Sequence, residues 1–321
     1  MSATSLGRIP DTSTDLQQRR PSGQSKRTRP ARTNLFGARI NLFYVPALIL
    51  LGVFTGYPLI RGIQLSFYNW DGFSPSMTFT GIDNYARLLS DSTFLTALTN
   101  TLIYAFGSTL IQQVLGLALA VILDRAIRGR SVARAIIYLP VLVSPVIMGT
   151  MYYMLLSYNT GTLNDIVVAL GGERTAWLAD AGVATAVIVL VNALQFVGIS
   201  MIIYLAGLQS IDPSYQEAAM LDGAGGWRQF VNITLPLLQP AFATSVVLNL
   251  IGGFQLFDAV VVMTGGGPGN STNSLSTLIA RTYFGSQSAG YAAAIGVALF
   301  LMIIIITAAL NKLLNRQRLE A

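Results

Sequence analysis

The stretch Gln209-Ser210-Ile211-Asp212-Pro213-Ser214-Tyr215-Gln216-Glu217-Ala218-Ala219-Met220-Leu221-Asp222-Gly223-Ala224-Gly225-Gly226-Trp227 decides how this chain is read. It is polar, and it lies between two long apolar runs. Asp212 is placed to cap a first helical turn, and Pro213 suits the first helical position, where an N–H would go unpaired anyway. Gly223 is a natural stop. The spacing therefore predicts a helix over about 213–223, then a short helical stretch from Trp227 to Thr234 leading into Leu235-Pro236. Tyr215, Ala218, Ala219 and Asp222 fall on neighbouring turns, with Glu217 beside them. Small alanines let another backbone approach, so the segment reads as a docking element. A helix lying on lipid would carry more Lys and Arg on its polar face. Arg228 is the only basic residue between 207 and 236.

Outward from this loop the chain is apolar. Of its 321 residues 53% are hydrophobic and 11% charged, and mean hydropathy is +0.57. A soluble domain carries about 25% charged residues. Six stretches approach the roughly 20 apolar residues that a membrane-crossing helix needs: Leu42–Leu65, Thr101–Leu123, Ala135–Leu156, Val183–Leu205, Ala241–Met263 and Tyr291–Leu310. Every backbone N–H must find a partner inside such a span, so each is expected to be helical. The runs do not alternate apolar and polar, as strands of a membrane barrel would. The expected fold is all-α, a polytopic membrane protein with six transmembrane helices.

Charge sets the expected orientation. With the N-terminus inside, the inner segments hold sixteen of the twenty basic residues, including Arg125, Arg128, Arg130 and Arg134 in one loop. Both termini are therefore expected in the cytoplasm, in a bacterial inner membrane. The outer segments carry Asp71, Asp83, Asp91, Asp165, Glu173 and Asp180. The outer run Tyr68-Asn69-Trp70-Asp71-Gly72-Phe73 and Trp177 suit headgroup anchoring, or contact with an external protein. Residues 1–38 read as a disordered basic tail, 39–315 as the membrane domain and 316–321 as a short cytoplasmic tail.

The chain has no Cys and no His. Disulfides, thiol chemistry, the usual zinc sites and histidine bases are thereby excluded, and no catalytic or metal residue is expected. The net charge of +6 comes from basic residues flanking apolar spans, which points to membrane lipid rather than nucleic acid. Several polar residues lie inside the spans: Asn192 and Gln195 one turn apart, Asn249 and Gln255, and Ser144 beside Pro145. Such residues either bond helix to helix or line a path for a polar solute.

The spacing Glu217-Ala218-Ala219, three residues, Gly223, nine residues, Ile233-x-Leu235-Pro236 resembles the EAA signature of bacterial ABC importer permeases, without a gap. The resemblance implies a type I ABC importer permease fold. It also implies that Tyr215, Glu217, Ala218, Ala219, Asp222 and Gly223 form a coupling helix seated in a cleft of an ATPase subunit. Leu208-Gln209-Ser210-Ile211, Phe257-Asp258 and Thr264-Gly265-Gly266-Gly267-Pro268 resemble the carbohydrate branch, and within it the maltose-permease-type first subunit. That implies a second, different permease, an ATPase dimer, an external sugar-binding protein and a small sugar as substrate. It favours Asn192, Asn249 and Gln255 as sugar contacts, beside Gln195 and Ser144. Val141 and Ile199 stand where the maltose permease has aromatic contacts.

The energy source is not in this sequence. A P-loop needs Gly-Lys before Ser or Thr, and the only lysines, Lys26 and Lys312, do not follow glycine. ATP and Mg are expected in a partner ATPase chain, and no cofactor in this one. Two other readings stand beside this one. An ion-coupled secondary transporter would need ionisable groups inside the bundle, and Asp258 is the only acid well inside a predicted span. A non-transporting scaffold or sensor would have no use for the docking loop. Neutral sugars and glycerol phosphodiesters both remain open; Arg61 is the one cation close enough to a solute path to suggest an anionic substrate, but its place near the interface favours anchoring.

Overall fold

The computed structural model describes residues 44–125 and 128–315; the 1–38 tail, Leu42 and the 316–321 tail lie outside the described residues. The chain divides into two units at Leu51–Gly52. In the first, Tyr44–Leu51 forms helix α1 with its apolar side chains exposed. The second begins with a π turn, Gly52–Gly56, and α2, Tyr57–Leu65. By length and hydropathy the stretch Tyr44–Leu65 is a candidate span.

A small cap follows. Strands β1 (Tyr68–Asn69) and β2 (Thr78–Phe79) pair antiparallel, with Tyr68 opposite Phe79. Between them Asp71 accepts bonds from the Ser74 hydroxyl, the Ser74 N–H and the Phe73 N–H, which hold its carboxyl down at about 2. Helix α3, Asp83–Ser90, then leads to α4, Ser92–Asp124, capped by Asp91.

Asp91 ties this cap to the last helix, α15, Ala289–Asn315. Its carboxylate accepts a bond from the Tyr291 hydroxyl at 2.7 Å, and the Arg87 guanidinium lies over the Tyr291 ring at 4.1 Å. Burial alone would raise the Asp91 pKa, but the Tyr291 bond and the backbone N–H groups of Thr93 and Phe94 outweigh it and hold it below the ordinary value. A folded pKa below the unfolded one means a stabilisation fully present above about 3.9 and lost as pH falls through the folded value. Tyr291→Phe is therefore expected to cost about 1–2 kcal/mol at neutral pH. Asp91→Asn should lose the acid-dependent part of the melting midpoint below about pH 4, seen by comparing thermal unfolding of both variants across pH.

Short helix α7, Thr162–Ala169, precedes α8, Ala181–Gln209; α11, Leu235–Leu237, precedes α12, Gln239–Phe254; and α14, Leu275–Ala280, comes before α15. The bundle core is α4 packed along α8 and α12. Glycines set the approach. A Cβ at Gly253 would stand 2.6 Å from the Cα of Ala105, and one at Gly116 would stand 3.1 Å from the backbone N of Met201. Close backbone contact of this kind is how helices associate where no hydrophobic force acts between them.

Two predicted spans are not continuous. The third, Ala135–Leu156, is α5 (Arg130–Leu142) and α6 (Pro145–Leu155), bent by 97°. The cause is local: Pro140 removes a helical donor, and Pro145 drives Ser144 out of the helical region to ψ 133. The fifth, Ala241–Met263, stops at Phe254. Its continuation is a separate helix, α13, Asp258–Met263, while Gly226–Leu237 joins α12 at a 63° bend on the other side. No proline lies at the 255–257 break. There the freed Leu256 carbonyl accepts the Ser274 hydroxyl at 2.7 Å. Ser274 belongs to a return loop held by α4: Asn100 donates to the carbonyls of Ser271 and Asn273, and Tyr104 to that of Thr272. The Gly265-Pro268 turn opens this loop, with Gly265 and Gly266 at positive φ. Among the described residues four helical stretches can each cross a membrane alone, and six spans result if each bent pair is one.

Candidate functional site

The docking segment is helix α9, Pro213–Leu221. Asp212 caps it by accepting the Ser214 N–H at 2.9 Å, and that bond, followed by one from the Ser214 hydroxyl, holds the Asp212 carboxyl below its ordinary range. The helix ends in a Schellman motif: Gly223 donates to the Met220 carbonyl at 3.0 Å and Ala224 to that of Ala219 at 2.9 Å. Gly223 has φ 76, a conformation open to glycine and costly for most other residues. Short helix α10, Gly226–Gln229, and a π turn, Phe230–Thr234, follow.

Five of the six predicted coupling residues, Tyr215, Glu217, Ala218, Asp222 and Gly223, are exposed on this segment. Ala219 is not: it turns inward at 7% exposure, so it packs the helix down and is not part of the outward face. The sequence reading missed three apolar residues. Leu221 is 90% exposed and Trp227 78%, with Met220 beside them. In a loop between spans such side chains have no core to fill, and exposed apolar side chains there suit contact with a protein or a membrane surface.

The second site is a cavity of about 210 Å³ between α4, α8 and α12. Asn192, Gln195, Asn249 and Gln255 all line it. Ser144 does not; its neighbour Pro145 does, and Ser144 itself is exposed. Both helix breaks border the cavity, through Pro145 on one side and Gln255, Leu256 and Phe257 on the other. Non-helical backbone at membrane depth is tolerated only where protein buries it or where it lines a cavity, and broken helices mark solute sites in transporters.

The lining residues fall into two groups. Gln195 donates to the Val143 carbonyl freed at the α5–α6 break, at 3.3 Å, and Asn249 donates to the Ser200 hydroxyl at 2.6 Å. Part of each amide therefore holds the bundle together. Among the described residues no hydrogen bond engages the side-chain amides of Asn192 or Gln255. Two further polar residues line the same space. Gln112, on α4, is buried, and Asp258 opens α13. The signal for Gln112 was available: an adjacent amide pair, Gln112-Gln113, in an apolar span. Its neighbour Gln113 instead accepts the Tyr204 hydroxyl. Arg61 is engaged with Gln64 at 2.6 Å and does not line the cavity. Trp177 donates to Asn164 at 3.1 Å, which pins it to the segment that precedes α8.

The family model for binding-protein-dependent transport system inner membrane components matches residues 112–319. The probable ABC transporter permease protein YurN of Bacillus subtilis (strain 168) is 37% identical over 274 residues, covering 84% of this chain and 92% of the relative. The trehalose/maltose transport system permease protein MalF of Thermococcus litoralis is 33% identical over 266 residues, covering 83% and 90%. A solved bacterial ABC transporter involved in the import of the acidic polysaccharide alginate superposes with a TM-score of 0.76 at 26% identity, over 86% of this chain and 94% of that one. A capped helix between two spans, two broken spans meeting at one polar cavity, and these matches lead to one conclusion: the chain belongs to the binding-protein-dependent transport system inner membrane component family, the membrane-spanning permeases of ABC importers.

Proposed function

We propose that this permease carries a sugar, that α9 is the seat for a separate ATPase, and that the cavity at the two helix breaks lies on the sugar's path. The observation that carries the reading is the convergence of Asn192, Gln195, Asn249 and Gln255 on one cavity at those breaks. A neutral polyol needs uncharged polar partners, and amides supply both donors and acceptors. The trehalose/maltose and lactose permeases among the relatives support a saccharide.

In this account a second permease closes the other side of the path, an external binding protein delivers the sugar, and ATP and Mg act only in the partner ATPase dimer. The chain itself performs no catalysis. Both termini and α9 lie on the cytoplasmic side, as the distribution of basic residues supports. Closure of the ATPase dimer pushes on α9, and the bundle alternates between outward- and inward-facing states.

The test is uptake into liposomes holding the whole complex, with a panel of labelled neutral sugars and the cognate binding protein. ATP inside should drive accumulation of at least one sugar. Accumulation driven by an ion gradient without nucleotide would reverse the assignment.

A further inference from the structure

Three of the cavity's amides, those of Gln112, Gln195 and Asn249, are held by the protein. Gln112 Nε2 donates to the Asn192 carbonyl at 3.2 Å, and Gln195 Nε2 to the Val143 carbonyl at 3.3 Å. A backbone carbonyl can only accept, so each amide commits its nitrogen to the protein. Gln112 is 1% exposed, and its Oε1 is itself buried without a partner, closed to a solute. The Gln195 oxygen, on the cavity lining, has no partner among the described residues and is free to accept. Asn249 likewise spends its Nδ2 on the hydroxyls of Ser200 and Ser245. Asp258 lines the same space, and among the described residues its carboxylate forms no hydrogen bond or ion pair. No Lys or Arg lines the cavity.

The wall contributed by this chain thus carries an unpaired carboxylate, no Lys or Arg, and the uncommitted amides of Asn192 and Gln255. We propose that it selects saccharides by charge: the Asp258 carboxylate and Gln195 Oε1 accept the donors of neutral sugars and of amino sugars bearing an ammonium, and repel uronates and sugar phosphates. Asp258 is then a specificity-determining residue. An anionic ring would set its charge against Asp258 with no cation to offset it, and its oxygens would face oxygens. The solved relative that imports the acidic polysaccharide alginate has the same fold, so charge preference must reside in side chains and not in architecture. The inference rests on the cavity being the sugar path.

The absence of cysteine makes a direct test available. Ile199 lines the cavity, and Ile199→Cys gives one thiol there, in a complex whose partner chains are also made cysteine-free. Its modification rates by a cationic trimethylammonium thiosulfonate and an anionic sulfonate thiosulfonate are compared, each normalised to a free thiol. A single carboxylate is expected to favour the cation by roughly tenfold, equivalent to about 1.4 kcal/mol. Asp258→Asn, close in shape and removing no internal bond, should bring the ratio toward unity. With Asp258 intact, in Ile199→Cys alone, glucose and glucosamine should slow modification while glucuronate at equal concentration does not, and Asp258→Asn should admit glucuronate to the same protection. Equal rates for the two reagents, or protection by glucuronate matching that by glucose, would overturn the inference. A cation preference that disappears in Asp258→Asn, with no protection by any sugar, would uphold the acceptor wall and remove the sugar-path reading instead.

Discussion

Gly223→Pro in the assembled transporter is expected to eliminate ATP-driven uptake and to release the ATPase from the purified membrane complex. Gly223 sits at φ 76 and donates the bond that closes α9. Proline fixes φ near −65° and has no N–H, so the Schellman motif cannot form. A cost of about 3 kcal/mol corresponds to roughly a hundredfold shift against the seated geometry. The rescue variant is Gly223→Asn, because Asn tolerates the left-handed region and keeps its N–H. It should retain most uptake and co-purification. Full activity in Gly223→Pro would mean that the end of α9 has no part in energy transfer.

The second large effect separates binding from assembly. Asn192→Leu is expected to lower sugar uptake by roughly 5- to 150-fold, the range for 1–3 kcal/mol, while leaving complex yield and melting temperature close to wild type. No hydrogen bond within the described residues engages the Asn192 amide, and the bond that Gln112 makes is to the Asn192 backbone carbonyl, which survives the change. Asn249→Leu should behave differently. It removes the amide donor that the buried hydroxyls of Ser200 and Ser245 accept between α8 and α12, so uptake and thermal stability should fall together. If Asn192→Leu also lowered stability, its amide would be bonding helices together.

How much of this was legible in sequence depends on the range of the interactions. The cap of α9 is local: Asp212, Pro213 and Gly223 each act within four residues, and each was readable. The α5–α6 break was half-readable. Pro140 and Pro145 announce it, but the stretch around them is apolar enough to pass for one span. The break after Phe254 was not readable, because its freed carbonyl is met by Ser274 eighteen residues on, in a loop clasped by Asn100 more than 150 residues earlier. Gln112 and Gln113 look alike in sequence. The turn of α4 against α8 sends one to the cavity and the other to Tyr204. Ser144 stands beside a proline, and that proline, not the serine, reaches the cavity.

The central claim is that α9 seats on a separate ATPase, and a cross-link tests it most directly. Ala218 is exposed on α9 in a chain without cysteine, so Ala218→Cys gives a unique thiol for a short bifunctional reagent. The account predicts a cross-link to the ATPase subunit in inside-out vesicles, with a yield that changes when ATP is added. It also predicts no labelling by a membrane-impermeant maleimide applied from outside the cell. Labelling from the outside, or failure to capture the ATPase in a complex that still transports, would contradict it.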